Sequence, residues 1–398
     1  MDLTYTEDEE VFRGQLKAWL AKVLPALPPA PDPLDWPGRR AYDTAWQRML
    51  YEAGYAGLHW PADAGGGGAT PTQHLIFLEE TERAGAPYVG ANFVGLLHAG
   101  PTIAAEGTAE QRARWLPPVL RGDEVWCQGF SEPGAGSDLA SLRTRAVRDG
   151  DHYVVSGSKI WTSHAEVADW CELLVRTEPV SDAVPKHRGI TWLAMRMDAP
   201  GVIVRPLRTL AGSTEFAEMF LDDVRIPVTD RVGAENDGWR VTMVTLSFER
   251  GTAFVGEVVA CRRTLGELAR TARDNGRWDA DPALRRRLGR LGAEFAALWR
   301  LTQWNVSESQ GGGSGADGSG GGFGVPGIGG SVFKLRYSQA RQELYEAAGE
   351  VLGPDALDLA HPWNQDRLSS LSYTIAAGTS QIQQNIVAER ILGLPKER

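Results

Sequence analysis

The hydrophobic residues of this 398-residue chain change their spacing twice. Near the N-terminus apolar residues recur every three or four positions, which is typical of amphipathic helices. From about Val125 to Val232, short β-branched and aromatic runs separated by turn signals predict strands instead. After Gly238 the helical spacing returns, most regularly from Phe254 to Ala272. The three blocks are segregated, which excludes a chain of alternating strands and helices.

This organisation predicts three domains, in agreement with the length of the chain. We expect an N-terminal helical domain over residues 1–124, a middle β domain over 125–235 and a C-terminal helical domain over 236–398. Thr6 and Glu9 have the spacing of a capping box and predict the start of the first helix.

Charge and composition exclude several classes of protein. The 41 Lys and Arg residues against 51 Asp and Glu give a net charge of −10, which argues against a nucleic-acid binder. The basic run Arg285–Arg287 is interpreted as a solvated helix face, with an anion or partner site as the alternative. No apolar stretch reaches the roughly 18 residues that a membrane span needs. The acidic start lacks the pattern of a secretory signal, and three dispersed cysteines predict a reducing, cytoplasmic setting.

Two short motifs carry little weight. Gly313–Gly318 fits G-x-G-x-x-G, but it follows no predicted strand and lies in the glycine-rich segment Gly311–Gly330, which predicts a loop. Ser156–Lys159 fits S-x-x-K without the companion motifs of that class of nucleophile. The seven histidines show no spacing of metal ligands, so no metal site is predicted.

Three separated segments carry a more specific pattern. Cys127–Asp138 reads CQGFSEPGAGSD, Gly157–Ser163 reads GSKIWTS, and Ala377–Ile382 reads AGTSQI. Together they resemble the acyl-CoA dehydrogenase family, whose T-E-P-x-x-G-S-D, W-I-T and E-G-T-x-x-I signatures occur in this order. The resemblance covers essentially the whole chain. It implies a mainly α fold, with an antiparallel, barrel-like β domain between an N-terminal helical domain and a C-terminal four-helix bundle.

The resemblance also implies FAD as the cofactor. Residues of all three segments would contact it, with Trp161 packed on the flavin ring and Thr379 near the adenine-nucleotide end. Each has a simpler interpretation: Trp161 as sheet core, Thr379 as a helix N-cap. The expected FAD-binding residues are Phe130, Ser131, Gly136, Ser137, Trp161, Thr162, Ser163, Thr379, Ser380 and Gln381.

The implied reaction is α,β-dehydrogenation of an acyl-CoA thioester, and here the chain departs from the usual pattern. Ala377 stands where the family's usual catalytic Glu lies. Some members carry the base in an E-R pair after the β domain, which corresponds to Glu249 and Arg250. Glu249 lies about 140° from the core stripe of its helix, so it faces solvent or a cleft. Arg250 would contact the CoA part of the substrate or form a salt bridge, and the Ala377 N–H would donate to the thioester carbonyl.

Further departures bear on substrate and assembly. Ala376 and Ala377 replace a Tyr-Glu pair, which predicts room for a branched or bulky acyl group, or else a repacked core. The R-x-x-F-G motif is absent, and whether Arg273 or Arg277 replaces its arginine stays open. The Q-x-x-G-G segment is also altered, at Glu350–Pro354. The loss of these two motifs resembles subunits of bacterial steroid and branched acyl-CoA dehydrogenases. We expect a homotetramer or an α2β2 heterotetramer, with electron-transfer flavoprotein or another electron acceptor. The alternatives are a non-catalytic or half-site subunit, or a flavin oxidase.

Overall fold

The structure, a computed structural model, describes residues 4–181, 184–252, 255–310 and 328–395. At 247–252, 308–310 and 328–329 it describes the backbone alone. Most of the glycine-rich segment therefore lies outside the described residues. Within these ranges, no helix combines the length and the apolar character needed to cross a membrane.

The N-terminal region is helical, and three of its helices begin at a capping threonine. Thr6, Thr70 and Thr108 each accept a hydrogen bond from the N–H three residues on, and the Glu or Gln there bonds back to the threonine N–H. These reciprocal bonds satisfy N–H groups that a helix start otherwise leaves free. The capping box predicted at Thr6 is confirmed. The helices are α1 (Glu7–Val23), α2 (Trp36–Glu52), α3 (Pro71–Arg83), α4 (Gly100–Glu106) and α5 (Ala109–Arg121), with a π-helical turn (Gly95–Ala99) leading into α4.

The middle of the chain forms one sheet. Its strands are β1 (Trp126–Gly129), β2 (Arg145–Asp149), β3 (His152–Ser163), β4 (Trp170–Arg176), β5 (Ile190–Arg196), β6 (Val202–Leu207), β7 (Phe216–Pro227) and β8 (Arg231–Val232). Hydrogen-bonded neighbours run in the order β6-β7-β3-β2-β4-β5-β8, and β1 pairs with β4. In the described part of the chain the end strands do not meet, so the sheet is open rather than a closed barrel. Two pairings, β1 with β4 and β2 with β4, are parallel, so the sheet is mixed.

The chain then returns to helices. They are α6 (Gly238–Thr252), α7 (Val255–Asp274), α8 (Arg277–Ala280), α9 (Pro282–Gln310), α10 (Ile328–Leu352), α11 (Pro362–Ser370) and α12 (Ser380–Ile386), with a 3-10 turn (Leu371–Thr374) after α11. Most of the predicted stripe of α7 is buried, since Val258, Cys261, Leu268 and Ala272 are at most 1% exposed. Leu265 is partly buried and packs against the same cluster. Phe254, at the start of the stripe, lies outside the described residues.

Tryptophans fasten the sheet to the N-terminal helices. Trp115 of α5 meets Trp126 of β1 and Trp170 of β4 edge to face, with ring centroids 5.9 and 5.6 Å apart. The two strand tryptophans stack on each other at 5.5 Å. Such pairs contribute about 1 kcal/mol each beyond the area they bury. These contacts hold β1 in place. The first candidate segment, Cys127–Asp138, begins in β1 and continues beyond it.

A second set of contacts joins the N-terminal and C-terminal helices. Leu75 of α3 packs with Val259 of α7 and Trp299 of α9 in one buried cluster. The basic run on α9 is a salt-bridged surface, because Arg287 pairs with Glu346 and Glu350 of α10. The predicted fold class, a mainly helical chain with a central β domain, is confirmed.

Candidate active site

Trp161 lies at an irregular point of β3. The pairing of β3 with β7 shifts register between Lys159 and Thr162, and Trp161 within this interval has a φ of 63°. A left-handed backbone is unfavourable for a bulky side chain. In this conformation the residue stays 58% exposed. Its ring packs edge to face with the Phe216 ring, and the two ring centroids are 6.0 Å apart. Trp161 is therefore not sheet core, and its indole face is available to a ligand.

A buried ion pair ties the first candidate segment to β3. Lys159 Nζ lies 2.8 Å from Glu132 Oε1 and 3.1 Å from the Phe130 carbonyl, and Ile160 N–H donates to the Ser131 carbonyl. Glu132 also accepts the backbone N–H of Thr144. Burial alone would raise the pKa of Glu132, but the Lys159 ammonium and these hydrogen bonds hold it below its usual value. The lysine set aside as part of S-x-x-K thus holds the segment that carries Phe130 and Ser131.

The loop after Glu132 leaves space beside its backbone. A side-chain carbon added at Gly134 or Gly136 would have no other atom within 4 Å, and Ser137 is exposed. The loop is fastened at its end, where Lys186 Nζ lies 2.7 and 2.8 Å from the two carboxylate oxygens of Asp138. A ligand could therefore approach this backbone closely, as glycines permit.

His164 follows β3 directly and was missed by the sequence analysis. Its φ is 58°. The centroid of its ring lies 5.0 Å from that of Trp36 and 5.9 Å from that of Phe93. Burial lowers the pKa of His164 to about 4, so the ring is neutral at pH 7. Its Nδ1 is buried without a hydrogen-bond partner among the described residues. No motif in the sequence marks this position.

The third candidate segment forms a tight turn before α12. Ala377 has a φ of 51° and Gly378 a φ of 85°. Gln383 Nε2 donates to the Ala377 carbonyl at 3.2 Å and to the Gly378 carbonyl at 3.4 Å. Lys334 Nζ of α10 donates to the Gly378 carbonyl at 3.0 Å. The backbone N–H of Ala377 has no backbone acceptor in the part of the chain that the structure describes.

The start of α12 combines a cap with polar groups that lack protein partners. Thr379 is the N-cap and accepts the Ile382 N–H at 3.2 Å, as its simpler interpretation required. Ser380 Oγ is buried without a hydrogen-bond partner among the described residues, as is Gln383 Oε1. Gln381 is exposed.

The end of β3 is related to this turn electrostatically, through Glu215. The His164 N–H donates to the Glu215 carbonyl at 2.7 Å. Burial raises the pKa of Tyr373, and the charge of Glu215 raises it further against the opposing charge of Arg341. Tyr373 in turn shares Lys334 with Gly378, because its carbonyl accepts from the same ammonium at 2.5 Å. The charge next to the end of β3 therefore acts on Tyr373, in the segment that leads into the Ala377 turn.

The side chains of Glu249 and Arg250 lie outside the described residues, but their helix is placed by its neighbours. Helix α6 runs antiparallel to α4, because Arg240 pairs with Glu106 at 2.7 Å and the hydroxyls of Thr245 and Thr102 lie 2.9 Å apart. Glu249 is one turn beyond Thr245, and His98 is one turn before Thr102. The backbone register therefore sets the turn of Glu249 opposite that of His98.

His98 adjoins the strand that leads into the first segment. Its Nδ1 lies 3.4 Å from Gln128 Nε2 and 3.9 Å from Glu172 Oε1, and Gln128 donates to Glu172 at 2.8 Å. Gln128 lies on β1, two residues before Phe130. His98, Gln128 and Glu172 form a polar cluster. The candidate cofactor segment on β1 contributes Gln128 to it, and the helical turn that carries Glu249 lies opposite the turn that carries His98.

These features fit a flavin. A planar apolar ring suits the exposed face of Trp161, and an anionic group suits the open backbone at Gly134 and Gly136. Thr162 Oγ1 is buried without a partner among the described residues, like Ser380 Oγ. Buried polar atoms are normally hydrogen-bonded, so these hydroxyls are suited to polar atoms of a ligand.

Comparison with known proteins decides the family. The family models for the N-terminal, middle and C-terminal domains of acyl-CoA dehydrogenases match residues 6–123, 127–224 and 236–392. The chain belongs to the acyl-CoA dehydrogenase family. Among its relatives, the acyl-CoA dehydrogenase IpdE1 of Mycobacterium tuberculosis is 39% identical over 399 residues, covering 98% of this chain and 99% of the relative. The chain is therefore an acyl-CoA dehydrogenase, and the family's cofactor is a flavin.

Solved structures agree with the fold of an acyl-CoA dehydrogenase. The Tcur3481-Tcur3483 steroid ACAD has a TM-score of 0.81 at 30% identity, with complete coverage of both chains. The ChsE4-ChsE5 complex from Mycobacterium tuberculosis has a TM-score of 0.81 at 33% identity, also with complete coverage of both chains.

Proposed function

We propose that this acyl-CoA dehydrogenase uses FAD to desaturate the Cα–Cβ bond of a branched or cyclic acyl-CoA, with Glu249 as the base. Three features support the proposal: the exposed Trp161 at the end of β3, the Ala377 turn and the position of Glu249 on α6. Each contributes a different part of the chemistry: an open aromatic face, backbone donors and a carboxylate position.

FAD would lie along the three sequence segments. Trp161 offers its exposed indole face, while Thr162 and Ser163 supply hydroxyls beside it. Phe130 is held by Lys159 and Ser131 by the Ile160 N–H, and the open backbone at Gly136 and Ser137 accommodates a pyrophosphate. Thr379, Ser380 and Gln381 would contact the cofactor from the start of α12. When bound, the flavin accepts the hydride from Cβ.

Glu249 would remove the α proton. A proton α to a thioester is weakly acidic, so the base works best when it is desolvated. The α6–α4 register supports this role, because it sets the helical turn that carries Glu249 opposite the turn that carries His98. Arg250, the next residue, would contact the CoA part of the substrate.

The Ala377 N–H would stabilise the enolate oxygen. Donors aimed at a position of developing negative charge lower the barrier most when they are fixed before the reaction. The Ala377 N–H meets this requirement, because the carbonyls of the turn are bound elsewhere. Proton abstraction and oxyanion stabilisation are thereby divided between two segments.

The small residues at this turn support a bulky acyl group. Ala376 is exposed and Ala377 half-buried, so neighbouring side chains have not closed over the space that a Tyr-Glu pair would fill. Ile375 beside them is 67% exposed, which adds apolar surface. The steroid ACAD among the similar structures is consistent with such a substrate.

The exposed apolar surface supports a tetramer, either homomeric or α2β2 with a related subunit. Leucines of the C-terminal region are strongly exposed, among them Leu357 at 85% and Leu392 at 64%. Exposed apolar residues mark sites of association where they form a contiguous patch, and these leucines are the proposed subunit contacts. The ChsE4-ChsE5 complex favours the heteromeric form, and electron-transfer flavoprotein is the proposed acceptor. The described cysteines are free and buried, in keeping with the proposed cytoplasmic location.

The test is a visible spectrum of the purified protein, alone and with its related subunit. A flavin spectrum that bleaches on adding a branched or ring-bearing acyl-CoA is the expected result. A flavin spectrum that no acyl-CoA bleaches would refute the proposal and favour a non-catalytic subunit. Higher kcat/KM for straight chains than for ring-bearing acyl-CoAs would refute the bulky pocket alone.

A further inference from the structure

The turn at Ala377 is held in an unfavourable backbone conformation. Alanine rarely adopts a left-handed φ, since its Cβ approaches the following carbonyl. Such a conformation persists only where surrounding contacts impose it. The contacts here come from two polar side chains, Lys334 and Gln383, that are 4% and 1% exposed.

Gln383 holds the turn from the side of α12. Its amide reaches both turn carbonyls, and a side-chain carbon at Gly378 would lie 2.6 Å from the same amide nitrogen. The position of Gln383 therefore requires glycine at residue 378. At residue 377 the left-handed backbone is adopted by an alanine, for which it is unfavourable. A glutamine on an exposed face of α12 would be solvated by water. Gln383 is buried instead, which indicates that its contact with the turn is specific.

Lys334 holds the turn from α10. Its ammonium binds the carbonyls of Tyr373 and Gly378, at the start and the end of the segment that precedes α12. Tyr373 is fixed in addition through its hydroxyl, which donates to Glu257 at 3.0 Å. The segment is thus attached to α7 and α10 at one end and to α10 and α12 at the other.

These attachments determine where the free N–H groups point. The C=O and N–H of a trans peptide point in opposite directions. Carbonyls that face Gln383 and Lys334 therefore turn the N–H groups of Gly378 and Thr379 away from these two side chains. The φ of Ala377 then sets the peptide plane before it, which carries the Ala377 N–H. We infer that Lys334 and Gln383 are positioning residues that aim the Ala377 N–H at the thioester carbonyl.

This inference rests on the proposed function, and the experiment separates the two. The ligand pair is cyclohex-1-enecarbonyl-CoA, a product-type thioester that oxidised flavin does not oxidise, and its thioether counterpart without the carbonyl. Calorimetry on the FAD-loaded assembly measures both dissociation constants. In the wild-type protein the carbonyl should tighten binding about 5-fold, the effect of one hydrogen bond.

The variants are Lys334→Met and Gln383→Met, each alone and combined with Ala377→Gly. Each single variant should bring the thioester-to-thioether ratio close to 1 while CoA alone binds as before. Glycine adopts the left-handed conformation without the cost that alanine bears, so Ala377→Gly should restore the ratio. Gln384→Met, an exposed position on the same helix, is the matched control and should leave the ratio unchanged.

Two results would overturn the inference. A ratio that stays near 5 in both single variants, even with a lowered melting temperature, would show that the two residues only stabilise the fold. A wild-type ratio of 1 with FAD bound would refute recognition of the thioester carbonyl, and with it the proposed function.

Discussion

Replacing Trp161 with alanine should weaken FAD binding and destabilise the fold less than the loss of a core aromatic does. The residue is 58% exposed, so about 140 Å² of a side chain that can bury roughly 250 Å² remains open to a ligand. A planar ring covers about half of that area, which at ~25 cal/mol per Å² corresponds to about 2 kcal/mol, or about 30-fold in Kd. The other ~105 Å² of the residue is already buried, so at the same coefficient the free energy of unfolding should fall by at most about 2.5 kcal/mol.

The assay is titration of the flavin-free protein with FAD, followed by the quenching of flavin fluorescence, with urea unfolding measured in parallel. Trp161→Phe keeps an aromatic face and should lie between the alanine variant and the wild type. Trp304→Ala removes another partly exposed tryptophan, 39% exposed on α9, and should leave FAD affinity unchanged. An alanine variant at position 161 that keeps wild-type FAD affinity, or that loses the ~3–5 kcal/mol typical of a core aromatic, would refute the reasoning.

The catalytic assignments can be tested in the same protein. Glu249→Gln should keep FAD and lower turnover at least ~100-fold, whereas Glu267→Gln on α7 should not; near-normal turnover would exclude Glu249 as the base. Ala377→Glu should lower kcat/KM for ring-bearing acyl-CoAs about 10-fold more than for straight chains, by steric exclusion; an equal loss for both would contradict the pocket. Burial lowers the pKa of His164 from 6.5 to about 4, so the unfolded state binds the proton first as the pH falls. Up to about 3 kcal/mol of the free energy of unfolding is therefore lost between pH 6.5 and about pH 4. His164→Asn tolerates the left-handed backbone and should reduce that loss in urea unfolding at each pH; an unchanged slope would contradict the assignment.

Local patterns in the sequence predicted the elements well, because helix periodicity and capping depend on residues a few positions apart. Thr6 and the stripe from Val258 to Ala272 show this. The Glu132–Lys159 pair could not be found in this way, since only the register of the strands brings together residues 27 positions apart. For the same reason Lys159 looked like part of an isolated S-x-x-K match.

The domain limits at 124/125 and 235/236 stay predictions, as do the site residues. Sequence alone also gave no sign that the sheet would be open. Closure depends on whether the end strands β6 and β8 meet, and that is decided by sheet twist and by what covers the edges. Short alternating runs carry no information about either.

Backbone conformation points to the same segments as the motifs do. Five non-glycine residues among those described have a positive φ: Trp161, His164, Asp223, Asn236 and Ala377. Three of these lie in the two segments that border the proposed flavin and thioester positions. Strained backbone persists where the surrounding structure imposes it, and such places cluster at functional sites. At Trp161 a register shift in the sheet imposes it, and at Ala377 two buried polar side chains do. The strain would be a needless cost in a chain that only supported a partner's fold, so its position favours an active site in this subunit.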